Sequence, residues 1–185
     1  GEKSRLVRTP AMTIADVLES RTYHFKLDEN GKGKLRFEGS FNGAKFGALN
    51  EAEKEAKRGE QQRYIESLIG LRNGYLSDWE ISIKDRNVPN AVLVAHCDVS
   101  GQFRNLGDLL AISLAPVKMY DLEKPEERTQ PVRITMPVNK VDSVIYQLPF
   151  LEEYAVEFPA PKILENQFGR LKIDYAQVDN QLIVA

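Results

Sequence analysis

Apolar and polar residues alternate with a period of two along most of this chain, and turn-forming residues break the alternation at short intervals. The clearest run is Lys140 to Val184. Val144, Tyr146 and Leu148 share one face of a strand that Pro149 stops, and Tyr154, Val156 and Phe158 share one face of a second that Pro159 stops. Pro161 stiffens the connection that follows. Leu171, Ile173 and Tyr175 make a third strand, and Asp179-Asn180 turns the chain into Leu182, Ile183 and Val184. Alternation bounded by such residues predicts half-buried antiparallel strands.

The first half reads in the same way. Met12 to Leu27 suits a long strand, answered by Lys34 to Phe41, with the hairpin signal Asp28-Glu29-Asn30-Gly31-Lys32-Gly33 between them. Further strands are expected around Trp79, Ile81 and Ile83, over Ala91 to Val99, at Phe103, over Leu109 to Val117 and over Val132 to Met136. Only residues 49–71 read as a helix. Good helix formers dominate, Asn50 suits the N-cap, Tyr64, Ile65, Leu68, Ile69 and Leu71 form an apolar stripe, and Gly70 or Gly74 ends it. Roughly ten strands at short spacing and one amphipathic helix predict a mainly β fold, an antiparallel β-sandwich. Residues 1–10 read as a tail or linker, and 11–185 as one domain with the helix inserted at about 49–71. A subdomain break near 123–129, in the polar loop Tyr120 to Gln130, stays open.

The punctuation of the C-terminal half carries a resemblance. Gln147-Leu148-Pro149, Val156 to Pro161, Leu164 to Gly169 and Asn180 to Val184 follow one another as in a β-rich domain of unknown function. That domain ends exported, transglutaminase-like bacterial multidomain proteins of the Bacteroidetes type. Gly107 to Leu110 leading to Pro116, and Pro125 to Arg128 leading to Pro131-Val132, fit as well. The resemblance spans about Leu106 to Ala185 and covers the first half more loosely. It implies a periplasmic, extracellular or cell-envelope location and an upstream transglutaminase-like domain as partner. The Cys/His/Asp set of that upstream domain is not among these residues, so its activity does not transfer.

Composition narrows the classes. Lys and Arg number 25 against 27 Asp and Glu, a formal charge of −2, which supplies no basic footprint for nucleic acid and no polybasic membrane patch. No apolar run reaches the roughly 20 residues of a membrane span. Cys97 is the one cysteine, so no intrachain disulfide forms.

His96-Cys97-Asp98 contains a base, a nucleophile and an acid. On a strand, however, neighbours point to opposite faces, so Cys97 falls with Leu93, Ala95 and Val99 and away from His96. The expectation is a buried, inert thiol. Asp28, Asn30 and Gly33 imitate the start of a calcium loop, but Lys32 and Gly39 occupy positions that need oxygen ligands. A turn is expected there, with no metal site. Gly31-Lys32-Gly33-Lys34 lacks the following helix of a phosphate loop. The expected chain is therefore not an enzyme and carries no cofactor, catalytic residue or metal ligand. Trp79, Tyr120, Phe150 and Tyr154 are the candidate ligand platform, suited to stacking on a sugar or peptide. Three readings compete. The leading one is a non-catalytic accessory or interaction domain, against a carbohydrate- or peptide-binding module and a cysteine-dependent enzyme.

Overall fold

A computed structural model describes residues 12–70, 73–83, 88–107, 109–112 and 137–185. The expected tail, Leu71, Tyr120 with its loop, the strand over 132–136, the end of the strand over 109–117 and the break near 123–129 lie outside these residues.

Strands β1 (Leu18–Leu27) and β2 (Gly33–Asn42) form the antiparallel hairpin the alternation predicts. The long strand expected from Met12 starts late, because Ala15–Val17 is one 3₁₀ turn. At the hairpin tip the Asp28 carboxylate accepts hydrogen bonds from the N–H groups of Asn30 (2.8 Å) and Lys32 (3.0 Å), and Gly31 takes φ +69°. That aspartate closes a turn, which is why the stretch only imitates a calcium loop.

The single helix expected over 49–71 is two, α1 (Gly43–Glu55) and α2 (Arg58–Ile69). Ala56 and Lys57 between them are extended. The Gln61 amide donates to the carbonyls of Ala52 (2.9 Å) and Ala56 (3.3 Å), and so satisfies the Ala56 carbonyl, which a continuous helix would have paired. Gly70 ends α2 as expected, at φ +70°.

Strands β3 (Gly74–Ser82) and β4 (Asn90–Val99) follow, then the pair β5 (Phe103–Leu106) and β6 (Leu109–Ile112). The C-terminal part supplies β7 (Asn139–Gln147), the pair β8 (Lys162–Asn166) and β9 (Gly169–Ile173), and β10 (Tyr175–Val178) with β11 (Gln181–Val184). The main sheet has seven strands in the order β10-β11-β7-β1-β2-β4-β3. The fold is mainly β, as expected. The sheet is mixed, because β7 runs parallel to β1, Lys26 opposite Gln147. Two local expectations change. Tyr154 to Phe158 forms no strand; the chain there leads to Pro159 and Pro161, which cannot donate to a ladder. The strand expected through Leu171, Ile173 and Tyr175 divides at Asp174 between two sheets.

Cross-strand register gives the sheet one apolar face. Tyr23, Phe25, Phe37, Phe41, Leu93, Ala95, Cys97, Val144 and Tyr146 lie on it and are buried. Leu49, Ile65, Leu68 and Ile69 of the two helices join the same core, and so do Phe150 and Leu151. Tyr146 stacks on Phe25 at 4.8 Å and the Tyr23 hydroxyl donates to the Ile69 carbonyl, so both the parallel strand and α2 are fastened to β1.

Candidate functional site

The His96-Cys97-Asp98 triplet sits on β4, and strand geometry separates it. Cys97 faces the core, between Leu35 on β2 and Leu76 on β3, and is 1% exposed. His96 lies on the opposite, exposed face, opposite Arg36. Burial pushes the thiol up to about 11, with the charges of Glu66 and Asp98 adding to the shift. Such a thiol is almost wholly protonated near neutral pH, while nucleophilic attack needs the thiolate.

The aromatic candidates separate as well. Phe150, just past β7, meets Tyr154 edge-on at 5.8 Å, and Phe103 of β5 meets Phe150 edge-on at 5.9 Å. Phe150 is buried and Tyr154 is 47% exposed. Trp79 does not join them. It lies on the edge strand β3, four strand spacings from β7, or roughly 19 Å at the usual inter-strand distance. It packs on the core under the Arg58 guanidinium, 4.6 Å from the ring centre.

What the fold assembles instead is a cleft of about 330 Å³ at the tip of the β1–β2 hairpin, lined by Asp28, Glu29, Asn30, Pro149, Phe150 and Glu153. Parallel pairing of β7 with β1 delivers Pro149 and Phe150 there. The three carboxylates make the cleft acidic, and Tyr154 stands at its side through Phe150. Neither Phe103 nor these carboxylates was visible as a site residue in the sequence. The strand stop at Pro149 and the hairpin signal at Asp28 were both legible, but not that they meet.

A second polar cluster lies at the margin of the core. The Arg21 side chain is nine-tenths buried, pairs with Glu19 at 2.7 Å and approaches Asp142 of β7 at 3.9 Å. Burial pushes the Asp142 carboxyl above its ordinary value, against the pull of Arg21 and Lys140. Arg21 also lies over the Phe41 ring at 5.9 Å. The group joins β1 to β7 across their parallel pair, with the one guanidinium shared between two carboxylates, so it reads as a structural ion cluster. Among the described residues no group of His, Cys, Asp and Glu is arranged to hold a metal ion, and no helix is long and apolar enough to cross a membrane.

The β8–β9 hairpin stands apart from the main sheet. Every residue of β8 is exposed, Phe168 at its turn is 75% exposed, and Leu164 pairs with Leu171 on one of its faces. A two-stranded hairpin with so little burial is marginal alone. No curated protein and no solved structure matches the chain. Residues 109–185, close to the stretch that carries the resemblance, match the model of a family described as a domain of unknown function with a solved structure, DUF3858.

Proposed function

We propose that this chain is a non-catalytic accessory and interaction domain of an exported transglutaminase-like protein, one that supports or positions the upstream domain or docks a partner. The observation that carries this reading is the separation of the chemistry-bearing side chains. The one thiol is in the core with its proton held tightly, and the histidine beside it in sequence is on the other face. The exposed β8–β9 hairpin adds a surface of the kind partners use. The envelope location and the upstream partner come from the sequence resemblance.

The test is twofold. The folded chain is assayed for peptide and ester hydrolysis and for amide transfer, and for association with the transglutaminase-like domain of the parent protein. The expected result is association without turnover. Turnover that disappears in Cys97→Ala or His96→Ala would refute the reading.

A second reading, a carbohydrate- or peptide-binding module, is favoured by one observation: Tyr154 stands exposed beside the acidic cleft. A saturable rise in unfolding midpoint with cell-wall glycans or peptides, lost in Tyr154→Ala, would support it.

A further inference from the structure

Two aspartates of this chain sit in opposite surroundings. Asp16, just ahead of β1, is exposed, and its carboxylate accepts hydrogen bonds from the N–H and the hydroxyl of Thr13, each at 2.7 Å. Those bonds hold its carboxyl below the ordinary value. Asp142, on the core face of β7, is the reverse case. Its side chain is 16% exposed, and its Oδ1 has no hydrogen-bond partner. Arg21 Nε stands 3.9 Å from it, which is too far for a bond, and is itself unpartnered.

The guanidinium does not close this gap because it is held elsewhere. Its Nη2 bonds Glu19 at 2.7 Å, and the group lies over the Phe41 ring. One buried cation therefore serves two buried carboxylates, and Glu19 has the bond. The other groups around Asp142 do not replace it. Tyr23 faces it from β1, Lys140 stands two residues along β7 on the same face, and Tyr64 of α2 lies near Glu19. β11, the second neighbour of β7, brings Leu182 and Val184 to that face and no charged side chain. Burial is the largest influence on the Asp142 carboxyl and raises it; Arg21 and Lys140 pull the other way, and Glu19 adds to the rise. A carboxylate here has lost its hydration without gaining a bond, so the folded state favours the neutral form.

We propose that Asp142 makes the joint between β1 and β7 proton-linked: in mild acid its carboxylate takes up a proton, and the joint tightens. The folded carboxyl titrates above 3.8 and the unfolded one near 3.8, so between the two values the folded state binds more proton. The contribution of this group to stability therefore rises as pH falls through the folded value, and levels off below 3.8. Asp16 has the opposite sign, since its contribution is lost as pH falls through its lowered folded value. The position of Asp142 gives the proton its reach. In the main sheet, β7, β11 and β10 are attached to the other four strands through the β1–β7 pair alone. Uptake at one residue thus strengthens the seam between the two parts of the sheet. This device belongs to the fold and stands apart from the interaction-domain reading.

The experiment is an NMR titration of the full chain, followed at the side-chain carboxyl carbons of Asp142 and Asp16 from neutral pH into acid. Urea unfolding of the parent chain and of Asp142→Asn is measured over the same range. The expected midpoint of Asp142 is above 3.8 and that of Asp16 below it. Relative to Asp142→Asn, the unfolding constant of the parent chain should fall as pH is lowered through this window, by at most about tenfold per pH unit, the limit for a single proton. An Asp142 midpoint at or below 3.8 would overturn the proposal. So would a pH dependence of stability that is the same in the parent chain and in Asp142→Asn. Should Asp142→Asn fail to fold, the titration of the parent chain decides by itself.

Discussion

Gly39 occupies the middle of β2, on the buried face, where its backbone needs no unusual dihedral angle. Its role is spatial. A methyl group added there would come within 2.6 Å of Cζ of Phe41 and 3.0 Å of Cε1 of Phe37. Both rings are 0% exposed, so neither can swing into solvent. Phe37 is held edge-on by Tyr23 at 5.0 Å, and Phe41 lies under the Arg21 guanidinium. Overpacking of this kind costs about 1–3 kcal/mol. Alanine recovers about 0.5–1 kcal/mol through its smaller backbone entropy loss. Gly39→Ala should therefore destabilise the fold by roughly 1–2 kcal/mol, which lowers the midpoint of a chain this size by about 2–8 °C. Urea unfolding followed by the fluorescence of Trp79 measures it, with circular dichroism as the second probe of cooperativity. A variant as stable as the parent chain would show that the rings over Gly39 yield freely and that the core is not packed as described.

Gly33→Ala should cost more than Gly39→Ala in the same urea experiment, because the added methyl would meet the backbone of Lys26 and Leu27 across the hairpin, where no rotamer change gives relief. Arg21→Ala should destabilise by about 3–5 kcal/mol, since it leaves Glu19 and Asp142 without their buried cation; the triple variant Glu19→Leu, Arg21→Met, Asp142→Leu should recover much of that loss. For Cys97 the sign follows from its raised pKa. The unfolded thiol titrates near 9.0 and the folded one at about 11, so the folded state binds more proton in that window and stability falls as pH rises through it. Urea midpoints of Cys97→Ala should fall less steeply with pH over the same window. Gly70→Ala should cost about 1 kcal/mol by thermal unfolding, because the end of α2 requires φ +70° at that position.

Local pattern was legible where one face of a strand is buried. Alternation placed β2, β4 and β7 within a residue or two and the end of β1 at Leu27, though not its start, and the split faces of His96 and Cys97 followed from period two alone. Gly70 as a helix stop and Asp28 as a turn residue were equally readable, since each acts on its own backbone. What failed depended on side-chain contacts and strand pairings that periodicity does not encode. The break between α1 and α2 contains neither Gly nor Pro; it is stabilised by the Gln61 side chain reaching back to Ala52 and Ala56. Tyr154 to Phe158 alternates as a strand should, yet it leads into prolines and finds no partner. The acidic cleft was invisible for the same reason. It exists only because β7 lies parallel to β1, and no periodicity announces which strand will sit beside which.

That parallel pairing has a consequence for where this protein can be divided. Similarity begins at residue 109, but the sheet does not. β7, β10 and β11 complete a layer whose other four strands come from residues upstream of it. Tyr146 rests on Phe25, and Asp142 faces Arg21. Cut at residue 109, the C-terminal piece would expose the whole flank of β7 that β1 covers, a bare edge of the kind that recruits other chains into aggregates. The stretch that matches the family model and the sheet it belongs to have different borders here, and a fragment designed for expression has to follow the second.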